Sequence, residues 1–463
     1  MRVLLDQAVH DHRNTGNNAL LEVALRRVRA RWPDASIDVI SVAPHLCRTL
    51  FPGTHPVDPV DLREAEDSLR VLRRLAPRPF WYLLFGLRSS LRLRFGLDLA
   101  LGRMRLANLP RVGSAGRALA RQSSANAVSH TVAASPPADP AQPDYRTSIS
   151  GYDLYMPTGG GYLCDSDRRF LYPLFDRLQA AVAQGVSVAM VGQGIGPLED
   201  PALLARAREA LPLIDYIMIR EERIARPILR SLNVPPSKVM MTGDDAIELA
   251  YRYPARRRRA DGIGLSLRVA QYTQLGQRDL ESIRQVMLRA ASRHRAELIA
   301  VPIDVNEADT RYLKQVTQGY PHRRLPSGLV YYDTRRIIEL TSHCRLMVAG
   351  TFHGAVFALS QGIPVVALAR SAEYYAKLAG LSAEFGQEAC QVISLDNSDL
   401  DLKLAEAIDY AWSSADKLRD QLLQNASRQV ASGRAAYDKA FDLVEERARS
   451  QAKAHSLRQE TGL

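Results

Sequence analysis

Residues 348–368 run VAGTFHGAVFALSQGIPVVAL, a stretch whose punctuation admits few folds. Apolar residues over 346–349 predict a short buried strand. A helix over 352–361 follows at once, Gly362 and Pro364 end it, and 365–368 is a second apolar strand. Two strands joined by a helical crossover run parallel, so this is a β-α-β unit. The loop at the carboxyl end of its first strand is where ligands sit in such units. Gly350, Thr351 and His353 occupy that loop. Unpartnered N–H groups and the positive dipole end of the helix favour an anion there. The bland alternative is a histidine that only caps or packs the helix.

The same rhythm extends in both directions. A strand over 2–5 leads into a polar loop, His10 to Asn18 with Gly16, then a helix over 19–31 and a strand over 36–42. This opening matches neither a Walker A sequence nor G-x-G-x-x-G. Regular structure resumes with a strand over 152–156 running into Thr158 and the glycines Gly159, Gly160 and Gly161. A helix over 170–184 and a strand over 186–191 follow, the strand ending in Gly192-Gln-Gly-Ile-Gly-Pro197. Further strands over 216–219 and 239–241 end in Arg220 and in Asp244-Asp245. Glycine loops, an arginine and two carboxylates thus recur at one predicted rim. A basic segment, 253–261 with Arg256 to Arg259, reads as a solvated linker. A second series then starts: strand 262–267 ending at Arg268, helix 279–294, strand 298–301, helix 309–318, strand 329–332 and helix 335–342. Beyond 368 come Arg370 and a turn over 373–377 carrying Lys377; from about 400 to 451 the chain is helical and charged.

Between 52 and 150 the alternation stops. Twelve arginines and one acid fall between Ser68 and Arg121, which equals the formal excess of +11 for the whole chain. The remainder is near neutral, so general nucleic-acid binding does not explain the charge. Residues 78–95 mix aromatics, leucines and arginines, as in segments that lie on anionic membranes, or in a helical hairpin with solvated arginines. Residues 129–142, rich in Ala, Pro and Ser, form a linker by composition. The four cysteines lie in no C-x-x-C pair, which gives neither a zinc site nor a disulfide framework and fits a reducing cytosol. No apolar run reaches the ~18 residues of a membrane-spanning helix, and the start lacks a signal-peptide pattern.

Two α/β domains delivering loops toward one cleft indicate a GT-B-like architecture: 1–250 with the basic insertion, 260–400, and a helical segment over 401–463. The motifs Asn14-Thr-Gly-Asn17, Gly159 to Gly161, Gly192-Gln-Gly-Ile-Gly-Pro197, Arg220-Glu221, Asp244-Asp245-Ala246, Ser266-Leu-Arg268, Phe352-His353, Gly362-Ile-Pro364 and Lys377 stand in the order of the polysaccharide pyruvyl transferase family, which the chain resembles over roughly 1–50 and 150–385. The resemblance implies transfer of a pyruvyl group from phosphoenolpyruvate to sugar hydroxyls, forming a ketal in cell-surface polysaccharide synthesis, with donor binding in the second domain. It implies no metal and no cofactor beyond phosphoenolpyruvate as co-substrate.

The reaction needs an acid for the enol methylene, cations for carboxylate and phosphate, and a base for the hydroxyl proton. His353, Asp245 and Arg268 are the expected catalytic groups, with Asp244 as an alternative base or a helix cap. Asn14, Asn17, Gly159, Gly160, Gly161, Gln193, Gly194, Arg220, Thr351, Arg370 and Lys377 are expected to bind substrates. One position departs from the family pattern: Thr351 stands where many members carry arginine, so Arg268, Arg370 or Lys377 must supply the charge. The expected acceptor is a saccharide, on a lipid if the basic segment touches the inner face of the membrane. Competing readings are a GT-B glycosyltransferase using a nucleotide sugar and a non-catalytic glycan-binding member.

Overall fold

The computed structural model describes residues 1–7, 10–59, 149–253, 261–268, 273, 275–323 and 333–461. The arginine-rich segment, the 129–142 linker, Arg256 to Arg259 and the strand expected over 329–332 lie outside the described residues.

The first sheet is parallel throughout. Strand β1 (Arg2–Asp6) leads into α1 (Thr15–Arg31), β2 (Ser36–Ile40), α2 (Pro44–Leu50) and β3 (His55–Val57). The alternation therefore runs a few residues past 52, where the sequence reading ended it. After the undescribed segment come β4 (Leu154–Pro157), β5 (Gly160–Leu163), α3 (Arg168–Ala183), β6 (Ser187–Ile195), α4 (Pro201–Ala210), β7 (Tyr216–Ile219), α5 (Ala225–Ser231), β8 (Val239–Met241) and α6 (Ala246–Tyr251). The strand order is β3-β2-β1-β4-β6-β7-β8, with β5 pairing the far end of β6. Both glycine stretches expected as loops are largely strand. Residues 160–163 form β5, and β6 runs on through Gly192 and Gly194 to Ile195. Gly192 takes a positive φ of 60°, and the pairing of β6 with β7 slips between Met190 and Gln193. Missing side chains here give clearance: a Cβ on Gly159 would stand 2.6 Å from the Gly192 carbonyl oxygen.

The second half repeats the plan with β9 (Gly262–Ser266), α7 (Gln277–His294), β10 (Leu298–Ala300), α8 (Glu307–Thr317), α9 (Thr334–Thr341), β11 (Cys344–Ala349), α10 (Phe352–Ser360), β12 (Val365–Ala369), α11 (Ala372–Phe385) and β13 (Cys390–Ser394). Its order is β10-β9-β11-β12-β13, again parallel. The β-α-β unit stands as read, with β11, α10 and β12 fully or largely buried. The expected turn at 373–377 is instead the start of α11. The Ser371 hydroxyl accepts from the Tyr374 N–H at its N-cap, and the helix runs on through Gly380 to Phe385.

One apolar core joins the halves. Ala19, Leu20 and Val23 of α1 and Ile247, Leu249 and Ala250 of α6 pack with Ile337, Val356, Phe357 and Leu359 of the second half. A backbone bridge reinforces it, with the Thr15 N–H donating to the Ile303 carbonyl at 2.8 Å and Val305 N–H to Arg13 at 3.0 Å. The last element, α12 (Leu400–Thr461), is a single helix of 62 residues. It packs Leu418 and Leu422 into the shared core, and Tyr437, Phe441 and Val444 into the first half.

Candidate active site

The two sheets each reverse their strand order once, at β1/β4 and at β9/β11. Such switch points open crevices beyond the strand ends, which is where ligands bind in sheets of this kind. In the second half the β9/β11 crevice is closed by polar bonds. Gly350 N–H donates to the Ser266 carbonyl at 2.6 Å, and the Ser266 and Thr351 hydroxyls are 2.6 Å apart. Thr351 Oγ1 also accepts from the Gly354 N–H at 3.1 Å and so caps α10. Thr351 is therefore a positioning group for the helix that carries His353.

His353 faces the first half. Its ring lies so close to Gly16 that a Cβ there would stand 2.1 Å from the imidazole. This contact explains the glycine in the polar loop better than a turn does: Gly16 is in α1, whose N-cap is Asn14, with Oδ1 accepting from the Asn17 N–H at 3.1 Å. Across the interface His353 Nε2 stands 3.7 Å from Asp244 Oδ2, beyond hydrogen-bonding distance. Nε2 is buried without a hydrogen-bond partner. Burial drives the imidazole down to about 4; Asp244 pulls the other way, and Arg220 adds to the depression. Asp244 is already neutralised by Arg220, so desolvation wins and His353 is neutral near pH 7.

Arg220 ties the cluster together. Its Nη1 donates to Asp244 Oδ2 at 3.2 Å, and its guanidinium lies over the Phe352 ring at 3.8 Å, a contact from the first half to the second. The glycines of β5 and β6 make room for it. A Cβ on Gly194 would stand 2.6 Å from Arg220 Nε, and one on Gly161 2.9 Å from Nη2. That same Gly161 position is 3.5 Å from Lys377 Nζ. Lys377 donates to the Gly161 carbonyl at 3.2 Å and pairs with Glu373 at 2.6 Å. Two cations from opposite halves thus converge on one face of Gly161.

Asp245 lies one layer behind. Its Oδ2 accepts from the Tyr437 hydroxyl at 2.9 Å and sits against Gly192. Burial raises the carboxyl to about 7, opposed by Arg27 and Tyr437. Asp244, weighed as a cap or a base, does cap locally, since Oδ1 accepts from the Ala246 N–H at 3.0 Å. It is also the carboxylate that meets His353 and Arg220.

The remaining expected residues divide. Gln193 is fully buried and donates to the carbonyls of Pro157, Thr158 and Val191, so it braces the ends of β4 and β6. Arg268 pairs with Asp304 at 2.8 Å and Asp309 at 3.1 Å, and Asn14 Nδ2 donates to the same Asp304 at 3.3 Å. Its charge is thereby balanced by two carboxylates. Arg370 is drawn away from the cluster to Asp279, Asp396 and the Leu395 carbonyl, where it staples α7 to the β12/β13 side. Of the cations expected to replace the missing arginine at 351, Lys377 is the one at the cluster. Sequence reasoning passed over Gly16, Ser266, Glu373 and Tyr437. Gly16 and Ser266 stood inside quoted motifs; Tyr437 gave no signal, being 192 residues from its partner. Among the described residues no group of three or more His, Cys, Asp or Glu side chains is arranged to hold a metal ion.

Residues 14–372 match the model of the family described as polysaccharide pyruvyl transferase. The chain belongs to the polysaccharide pyruvyl transferase family. Among solved structures it is similar to a Listeria monocytogenes protein assigned as a UDP-N-acetylglucosamine 2-epimerase, at 12% identity and a TM-score of 0.51 over 93% of each chain. It is also similar to the UDP-GlcNAc 2-epimerase of Neisseria meningitidis bound to UDP-GlcNAc, at 14% identity and a TM-score of 0.50, covering 96% of this chain and 100% of that one. At these identities the likeness is one of fold: the pyruvyl transferase family member is GT-B-like, with two Rossmann-like halves. No curated protein matches it.

Proposed function

We propose that this family member transfers a pyruvyl group from phosphoenolpyruvate to two hydroxyls of a saccharide. Both hydroxyl oxygens bond to C2 of the enolpyruvyl group and the C2–O bond to phosphate breaks. One hydroxyl proton ends on the methylene carbon, which becomes a methyl group, and the other leaves on inorganic phosphate. The observation that carries this reading is the convergence of Arg220 and Lys377 on Gly161, beside a buried neutral imidazole. A small substrate with two anionic groups suits that spot: the guanidinium fork matches a carboxylate or phosphate bidentately, and Lys377 adds a point charge. Neutral His353 can take up a proton released by an acceptor hydroxyl, with Asp244 stabilising the imidazolium, and pass it to the enol methylene carbon. Arg268 and Asn14 meet at Asp304 on the seam between the halves and, with Asn17, are proposed to orient the acceptor, whose hydroxyls their amides and carboxylate partners can bond.

The deciding experiment incubates the protein with phosphoenolpyruvate and a panel of lipid-linked and free saccharides. Phosphate release coupled to a ketal product supports the reading. Release of nucleotide from an activated sugar, with phosphoenolpyruvate untouched, replaces it by a glycosyl transfer. The two cations that meet at Gly161 are equally compatible with a diphosphate, so the second reading keeps its place. Among the described residues no helix is long and apolar enough to cross a membrane. We further propose that the arginines between Ser68 and Arg121 contact anionic lipid at the inner face of the membrane. Neutralising Arg88, Arg92, Arg94 and Arg103 should then abolish sedimentation with anionic liposomes.

A further inference from the structure

The switch point of the first sheet carries a second set of groups that the cluster around His353 does not use. β1 ends at Asp6, beside Pro157 at the end of β4, which is the crevice where the strand order reverses. The Asp6 side chain is fully buried. Its Oδ2 accepts from Arg177 Nε at 2.9 Å and from the Tyr155 hydroxyl. Its Oδ1 lies 2.8 Å from His10 Nε2. Burial alone would raise this carboxyl, yet Arg177, His10 and Tyr155 hold it well below the usual carboxylate range. It is therefore a permanent anion, able only to accept.

That fixes the tautomer of His10. A neutral imidazole facing a carboxylate through Nε2 carries its proton there, which leaves the lone pair on Nδ1. Among the described residues the ring's hydrogen bond is the one through Nε2, and the side chain is 12% exposed. The ring is braced by Phe170 at 5.5 Å, and the His10 carbonyl accepts from the Val42 N–H at 3.0 Å. The loop from His10 leads directly to Asn14 and Gly16, and Gly16 touches His353. The two histidines thus flank one short loop, one in each half's crevice. They differ in kind: Nε2 of His353 is enclosed and without a partner, whereas the His10 side chain is oriented by a buried carboxylate and partly exposed. Asp6 would also stabilise the imidazolium once formed, as the orienting carboxylate does in hydrolase triads.

We propose that His10, oriented by Asp6, is the general base that takes the proton of the acceptor hydroxyl. This rests on the transfer reading above and names the acceptor side of it. The hydroxyl oxygen bonds to the electrophilic carbon of the donor as its proton passes to Nδ1, and that proton departs with the released phosphate. His10 is the catalytic residue, and Asp6 is a positioning residue.

His10→Gln tests the base directly. The expected result is a fall in kcat of roughly 10²–10⁴-fold, the range for a lost general base, with phosphoenolpyruvate affinity by equilibrium binding and the melting temperature close to wild type. Retention of kcat within about threefold, against that expected range, overturns the assignment. Asp6 is tested by long-range ¹H–¹⁵N correlation of the His10 ring, assigned by its loss in His10→Gln. The wild type should show the Nε2–H tautomer and Asp6→Asn should lose that preference; an Nδ1–H tautomer in the wild type overturns the proposal whatever the donor. If wild type spares phosphoenolpyruvate but turns over a nucleotide sugar, the donor reading fails alone. His10→Gln is then measured on that turnover, where the same loss is expected and its absence is fatal.

Discussion

Gly161 shows how much can depend on a missing side chain. An added methyl would sit where Arg220 and Lys377 converge, and both neighbours are ends of flexible side chains that can move aside. Gly161→Ala should therefore fold normally but raise the KM for phosphoenolpyruvate on the order of tenfold, as read by initial rates alongside a melting curve. Arg220→Ala removes a charge that also balances Asp244, and a loss of kcat/KM of about 10²–10³ is expected in the same assay. Two buried groups should respond to pH in opposite senses. The Asp245 carboxyl is raised to about 7, so the folded state holds a proton that the unfolded chain releases near 4. Its contribution is full at low pH and is lost as pH rises toward 7. His353 is lowered to about 4, so the unfolded chain takes up a proton near 6.5 that the folded state refuses. Its contribution is lost as pH falls through that window. Relative to wild type, the melting temperature of Asp245→Asn should climb between pH 4 and 7, while that of His353→Gln should fall. Parallel slopes would contradict the assigned environments.

Helix α10 is the element on which the site turns. Its N-cap is Thr351, where the family resemblance leads one to expect arginine, and the hydroxyl makes two bonds, from the Gly354 N–H and with Ser266. Thr351→Val keeps the shape and removes both. The expected cost is about 1 kcal/mol for the cap, with some addition for the Ser266 hydroxyl left unpaired, seen in urea denaturation. Restoring arginine at 351 should cost more, because the position is 4% exposed and is already filled by that hydroxyl pair. The β-α-β unit around α10 was legible because apolar runs, Gly362 and Pro364 are local signals. The glycine strands were not. A glycine reads as a bend in sequence, and only the approach of Gly159 to Gly192, or of Arg220 to Gly194, reveals that these glycines serve close packing. The start of α11 was misread for a related reason: its signal is a single capping residue, Ser371, whose bond to the Tyr374 N–H shows only in the folded chain.

For the whole molecule, α12 decides how the halves are held. Arg31 pairs with Asp442 and Glu445, Arg447 with Asp215, and Arg345 with Asp416. The helix thus binds both halves, and it brings Tyr437 to Asp245 from outside the span that the family model covers. Deleting residues 431–463 removes Tyr437, Phe441 and Val444 from the first-half core, on the order of 5 kcal/mol of apolar burial. The melting transition should drop and broaden as the halves lose their common strap; an unchanged, single sharp transition would refute that role.

The alternation of short apolar strands with helices, and the residues that end each strand, are written in local order. They sufficed for two parallel sheets, for the rim carrying Arg220, Asp244 and His353, and for the family. Which cation meets which anion was not written there. Arg268, Arg370 and Lys377 were equivalent on paper, and only the folded chain ties the first two to carboxylates away from the cluster and brings the third, itself paired with Glu373, to Gly161. Pairings across tens to hundreds of residues depend on how the sheets are apposed. That apposition is set by the shared apolar core, which has no local signature.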